Sequence, residues 1–355
     1  VSTDVTLPKT MRAAILVEQR QPLVVDEIEL PAALDVGQVL VKIAVSGICG
    51  SQLGEIDGAK GEDRFLPHLL GHEASGTVIA TGPGVRHVKA NDTVVLHWRK
   101  SLGIEGAPPV YRWRGRQVNA GWITTFNEYA IVSENRLTPI PAGSDMDVAA
   151  LYGCAVTTGF GVVVNNAKLT IGESVVVFGA GGVGLNIIQA AAMVSAWPII
   201  AVDLHDNRLE LARRLGATHV INARSTDARK AIEQVVPAGR LDVFIDNTGQ
   251  PAIIQDGYAL VKPQGRVVLV GVPRKGNDIT IHSLPLHFGK SISGSHGGEA
   301  VPQDDIPRYR ALHAAGRLQL EPLITERFPL TEVNVAIARM RSGELAGRCL
   351  LDMAR

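Results

Sequence analysis

The sequence predicts an α/β chain of two domains, one β-rich and one built on a doubly wound parallel sheet. Three observations carry that reading. Residues 12–98 break into short β-rich runs with turn chemistry between them. After about residue 155 the texture changes to apolar strands alternating with helical runs. A glycine-rich turn joins the first of those later strands to the helix that follows it. The 355 residues suffice for two cores, and 46% hydrophobic with 20% charged residues is a globular balance without a mark of disorder. A formal net charge of +0 supplies no field toward nucleic acid or an anionic membrane, and 5% aromatic residues leave little for base stacking. The expected partner is therefore a small molecule.

In chain order, residues 1–10 contain Asp4 and Pro8 but no apolar core, so no signal peptide is read there. Met11 reads as a natural start, which would make residues 1–10 an extension or a vector remnant. Residues 13–17, 39–45, 76–80 and 93–96 are the β-rich runs, with Gly82-Pro83-Gly84 as one of the turns, and they suggest a barrel-like or sandwich-like unit. Residues 174–178 form a continuous apolar strand, 183–193 a helical run and 198–202 a second strand. Residues 208–215 are helical, and 219–221, 241–245 and 266–270 are further strands. Such alternation implies βαβ units with both sheet faces covered. From about residue 302 the chain returns to mixed helix and strand and is expected to rejoin the first domain. The division expected is 1–155 with 299–355, and 156–298. No apolar stretch is long and unbroken enough to span a bilayer. The three cysteines, Cys49, Cys154 and Cys349, lie far apart, which fits free thiols in a reducing, cytoplasmic setting.

The turn after the first parallel strand reads G-x-G-x-x-G at Gly179, Gly181 and Gly184. In that context each glycine has a task. Gly179 permits the tight turn, Gly181 lets the backbone approach a pyrophosphate, and Gly184 lets helix and strand pack closely. Gly182 and Val183 begin the helix, whose free N–H groups suit an anion. A second strand ends at Asp203, at the usual distance for a carboxylate that accepts from the ribose hydroxyls and repels a 2′-phosphate. NAD is therefore expected over NADP. The competing reading is a structural turn followed by a capping Asp.

Cys49, His72 and Cys154 are the candidate metal ligands. Two thiolates and one imidazole would leave one tetrahedral position of a zinc ion open, which is a catalytic arrangement. Their spacing alone does not separate this from core cysteines and a satisfied histidine. The words around them do. Gly-His-Glu-Ala-Ser-Gly-Thr-Val-Ile-Ala-Thr-Gly-Pro-Gly-Val (residues 71–85), Gly-Cys-Ala-Val-Thr-Thr-Gly (153–159) and Val-Phe-Gly-Ala-Gly-Gly-Val-Gly (177–184) stand in this order. Together they resemble the zinc alcohol dehydrogenase family of the medium-chain dehydrogenase/reductases, over nearly the whole chain from Met11.

That resemblance implies a GroES-like catalytic domain, a Rossmann coenzyme domain, one catalytic zinc on Cys49, His72 and Cys154, bound NAD, and hydride transfer between an alcohol and the nicotinamide. It implies that Glu73 sits behind the metal, that Ser51 takes the substrate proton and that Thr158 lies near the nicotinamide. Asp203 and Arg208 would meet the adenosine ribose, Val270 and Val272 would flank the nicotinamide, and Arg348 would reach the pyrophosphate. It also implies a homodimer or homotetramer.

Departures from the family pattern matter too. The four closely spaced cysteines of a structural zinc are missing, and residues 99–118 look shortened, so one zinc per chain is expected. Gln52 stands where an Asp often orients the ligating histidine, and Gly54 where a relay histidine often stands. His97 and Trp98 fall where the family places substrate-pocket walls, although a satisfied histidine fits His97 equally well. The run Tyr111-Arg-Trp-Arg-Gly-Arg-Gln is read as a solvated loop rather than an anion site, Cys349 as core, and His296 has no assigned role. Two other readings stay open at this level: a redox-neutral enzyme that recycles bound NAD, and a non-enzymatic NAD-binding protein on the same fold.

Overall fold

The computed structural model describes residues 7–354. Residues 1–6, most of the expected N-terminal extension, lie outside the described residues. Thr10 opens the first strand, Thr10–Leu16, and pairs with Glu29.

The β-rich unit is made of two sheets. In the larger, the central strand Gln38–Gly47 pairs antiparallel with Glu73–Thr81, with Tyr129–Ser133 and with Arg348–Asp352. Its sequence, QVLVKIAVSG, is β-branched and apolar on both faces, as a strand with neighbours on every side requires. Thr93–His97 and Leu137–Ile140 extend this sheet on one side and Ile324–Pro329 on the other. The C-terminal strands thus rejoin the first unit. The second sheet holds Thr10–Leu16, Val24–Glu29, the short His68–Leu69 and the hairpin Tyr111–Trp113/Arg116–Val118. That hairpin lies in the run read as a solvated loop. Asp26 accepts from both Trp113 Nε1 and Arg114, so part of the charge of the run is used within the fold.

The other unit is a six-stranded sheet whose strands are all parallel. Its spatial order is His219–Asn222, Ile199–Asp203, Val175–Phe178, Leu241–Asp246, Val261–Leu269, Ser291–Gly294. Chain order reverses between Val175–Phe178 and Leu241–Asp246, so a crevice opens at their carboxyl ends. Val175, Val176 and Val177 are fully buried because helices cover both faces. One apolar cluster runs through both units, joining Val45, Val95 and Val148 to Ile188 and Val243. The helix Ala155–Gly161 mediates it by packing on Gly182–Met193, where a methyl at Gly159 would stand 2.5 Å from Asn186 Cβ.

Candidate active site

Each of the three candidate ligands sits at the end of an element, where the backbone fixes the direction of its side chain. Cys49 follows the central strand and caps the helix Gly50–Ile56. His72 immediately precedes the strand Glu73–Thr81, and Cys154 caps the helix Ala155–Gly161. Their ligand atoms all lie within 4.8 Å of one another. Bonds of about 2.0–2.3 Å to one tetrahedral zinc put ligand atoms roughly 3.5–4 Å apart, so the trio fits such an ion after small side-chain shifts. Among the described residues it is the one cluster of three or more such side chains close enough to share a metal.

The electrostatics of the corner fit the same ion. His72 Nε2 and Ser51 Oγ are buried and have no hydrogen-bond partner. The two thiols interact: the bond from Cys154 is the largest influence holding Cys49 well below the usual thiol range. The same bond, followed by burial, pushes Cys154 well above it. A divalent cation bound there would favour the thiolate form of both. Burial lowers the His72 pKa, but the nearby Cys49 sulfur outweighs it and the net direction is upward.

Glu73 lies behind this corner with no exposed surface. Its Oε1 is 2.9 Å from Arg348 Nε, and its Oε2 accepts the Ala155 N–H at 3.1 Å. Burial pushes the carboxyl up while Arg348 pulls it down. Burial disfavours the charge on Arg348, yet Glu73 and the cysteine sulfurs together hold it cationic. Arg348 also donates to the Ile48 carbonyl, and its guanidinium carbon lies 3.0 Å from where a Cβ on Gly182 would stand. It therefore spans from the metal corner to the coenzyme turn.

The turn is built as its glycines require. Gly179 has φ +96°, a left-handed conformation that side chains rarely adopt. A Cβ on Gly184 would sit 2.0 Å from the Gly179 oxygen, whereas one on Gly181 would meet nothing within 4 Å. That open face looks into a cavity of about 740 Å³ lined by Gly179, Gly181, Gly182, Val183 and Gly184. Cys49, Ser51, Asp203, Arg208, Val270, Val272 and Arg348 line the same cavity. Asp203 Oδ2 accepts the Ala180 N–H at 2.8 Å and lies 3.7 Å from Arg208, and Oδ1 accepts from Leu204 and His205.

Thr158 is buried one helical turn beyond Cys154, with Oγ1 3.9 Å from its sulfur. Trp98 is half-buried, its ring 6.4 Å from that of His72 and edge-on to His296 at 4.8 Å. His97 is a correction. It has no exposed surface, and its ring nitrogens pair with the Arg99 carbonyl at 2.8 Å and Thr138 Oγ1 at 2.9 Å. Burial pulls its pKa down to about 4. It is a satisfied core histidine, because alternation along Thr93–His97 turns it inward and leaves the next residue facing the site.

Sequence reasoning missed Asn247, Thr248 and Gln250 on the cavity wall. They follow the strand Leu241–Asp246 at the point where strand order reverses. That crevice rule would have flagged them once the strand order was known. It also missed Met340, Leu345 and Gly347, which reach the cavity only because the C-terminal strand folds back.

Comparisons with known proteins agree with this geometry. Residues 35–142 match the family described as alcohol dehydrogenase GroES-like domain, and residues 182–314 match zinc-binding dehydrogenase. The chain is 30% identical to the class-3 alcohol dehydrogenase of Cereibacter sphaeroides, over 94% of this chain and 97% of that one. It is 28% identical to the S-(hydroxymethyl)glutathione dehydrogenase of Paracoccus denitrificans, again over 94% and 97%. The crystal structure of benzyl alcohol dehydrogenase from Acinetobacter calcoaceticus superposes with a TM-score of 0.86 at 28% identity, covering 97% of this chain and 99% of that one. These names lend nothing to a redox-neutral or non-enzymatic reading.

Proposed function

The chain belongs to the zinc-binding alcohol dehydrogenase family, and from that premise we propose how its residues divide the work. It is a zinc-dependent, NAD-linked oxidoreductase acting on an alcohol. When bound on Cys49, His72 and Cys154, zinc supplies Lewis acidity that makes the alcohol proton labile, and NAD accepts the hydride. Ser51, two residues from Cys49 and facing the coenzyme cavity with an unpartnered hydroxyl, relays that proton, accepting it as its own hydroxyl proton passes outward to water. Asp203 and Arg208 hold the adenosine ribose, and Arg348 presents positive charge toward the pyrophosphate end of the glycine turn. Glu73 keeps Arg348 in place and supports the metal corner from behind. Val270 and Val272 form an apolar wall for the nicotinamide, Thr158 braces the Cys154 turn, and Trp98 walls the substrate side near His72.

The carrying observation is that Cys49 and Ser51 line the same cavity as the glycine turn, which sets proton and hydride acceptors side by side. The substrate class proposed is a primary or secondary alcohol, a polyol or a sugar derivative. We divide the chain at 1–155 with 299–355, and 156–298, place it in the cytoplasm, and assign it a homo-oligomeric state. Exposed Leu284, Leu286 and Phe288 beside the edge strand Ser291–Gly294 support that state. Among the described residues no helix is long and apolar enough to cross a membrane.

The test is an alcohol and polyol panel, including benzyl alcohol and a hydroxymethyl thiol adduct, followed by NADH absorbance with wild type and Ser51→Ala. At least one alcohol should yield free NADH, and Ser51→Ala should lower turnover about a hundredfold with zinc content and NAD affinity unchanged. Near wild-type turnover in the variant, with chemistry limiting, would return Ser51 to an ordinary loop residue.

A further inference from the structure

Gln52 is almost fully buried, 3% exposed, inside the metal corner. Its Oε1 accepts the Cys49 backbone N–H at 3.2 Å, and its Nε2 lies 2.5 Å from His72 Nδ1. The polarity of the first contact is not free, because a backbone N–H can only donate. The oxygen of the amide must face Cys49, so its NH2 group must face the imidazole. His72 Nδ1 then has to accept, which leaves the proton of the neutral ring on Nε2. Yet Nε2 is the ring nitrogen without a partner, and with Nδ1 held by Gln52 it is the one left to join Cys49 and Cys154 on a metal.

A metal on Nε2 needs the opposite tautomer, with the proton on Nδ1. That proton would point at the NH2 group of Gln52, donor against donor. The amide can turn over to accept it, but its NH2 group then faces the Cys49 N–H, and that donor loses its acceptor beside a side chain only 3% exposed. A carboxylate of the same length has two acceptor oxygens and meets both donors at once.

We propose that Gln52 is a positioning residue that sets the His72 tautomer against metal binding, so that this chain holds zinc less tightly than it would with a carboxylate in the same place. The inference rests on the zinc assignment above and concerns affinity and tautomer, not the redox reaction. Gln52 also explains how a family site can depart from its usual acidic partner and stay folded: without metal, both contacts of the amide are satisfied.

The experiment compares the full-length wild type with Gln52→Glu, which changes one atom and no volume. Zinc affinity is measured by competition with a chromogenic chelator, and the His72 tautomer by nitrogen-15 chemical shifts of histidine-labelled, zinc-free protein. NAD affinity and the unfolding midpoint serve as fold controls. Partners of metal-ligating histidines are typically worth about 10- to 100-fold in affinity, so Gln52→Glu should bind zinc tighter by that order. The zinc-free wild type should carry the His72 proton on Nε2 and the variant on Nδ1. A variant that binds no tighter, or that shows the wild-type tautomer, overturns the proposal. Tighter binding with no change of tautomer would mean that charge alone acts, which also overturns it. A wild type that takes up no zinc would overturn both this inference and the zinc assignment. Should Gln52→Glu fail its fold controls, the nitrogen-15 measurement on wild type decides by itself: an Nδ1 proton in the zinc-free protein sinks the proposal.

Discussion

Each end of the site holds a carboxylate against an arginine, on opposite terms. At the metal end Glu73 and Arg348 are 2.9 Å apart with side chains 0% and 4% exposed. At the ribose end Asp203 and Arg208 are 3.7 Å apart, and the arginine side chain keeps 22% of its surface. The first pair is closed, and Glu73 spends its other oxygen on the Ala155 N–H. The second lines the cavity, where Arg208 can shift toward a ligand while three backbone N–H groups hold the Asp203 carboxylate in place. The same two residue types therefore serve as an internal brace in one place and as a receptor in the other. What separates the roles is the arginine's access to water: a fully buried pair is costly to break, whereas an arginine that keeps part of its surface and stands 3.7 Å from its carboxylate is readily exchanged to other partners.

The largest expected effect isolates the metal end. His72→Ala removes one of three ligands and should abolish tight zinc binding. Loss of several kcal/mol of charge stabilisation lowers alcohol oxidation by about a thousandfold or more. NAD affinity, read by fluorescence titration, should hold, since His72 does not line the coenzyme cavity. A parallel loss of NAD binding would show that the two ends are not separable.

Next in size is the brace. Glu73→Gln leaves the Arg348 charge buried and unpaired, and breaking one partner of such a pair costs about 3–5 kcal/mol. Denaturant unfolding should show that loss, and NAD affinity should fall as well, because Arg348 also borders Gly182. Full stability in Glu73→Gln would mean that Arg348 finds another partner and that the pair is no brace.

The smallest effect belongs to the open pair. Asp203→Ser takes the acceptor from the Ala180, Leu204 and His205 N–H groups, so it should cost about 1–3 kcal/mol of stability, and it should narrow the preference for NAD over NADP by about 10- to 100-fold, the worth of one or two hydrogen bonds to a charged group. Steady-state kinetics with both coenzymes reads this directly. An unchanged ratio would place the ribose elsewhere on the wall.

Much of the site was legible before the fold was known, for reasons that lie in local chemistry. The glycine turn announces itself because Gly179 needs a positive φ and Gly184 has no room for a side chain, and both demands fall within a six-residue window. Asp203 could be placed because a strand and its loop have a nearly fixed length. Cys49, His72 and Cys154 are separated by 23 and 82 positions, so only the words around them, not their spacing, pointed to a common ion. His97 was misplaced because one residue along a strand reverses the face. Its register with Glu73 and its bond to Thr138 depend on strands far away in sequence.

Sequence alone determined the fold class, the turn that receives a pyrophosphate and the set of residue types able to hold a zinc ion, since each depends on contacts a few residues apart or on words short enough to read. Tertiary structure alone decided which atoms meet. The reversal of strand order opens the crevice beside Asn247, and the C-terminal strand carries Arg348 back 275 residues to Glu73. Packing turns His97 into the core and sets the Gln52 amide between a backbone N–H and an imidazole. Those choices are made by long-range pairing and by the demand that every buried donor find an acceptor, and neither is written in any short stretch of chain.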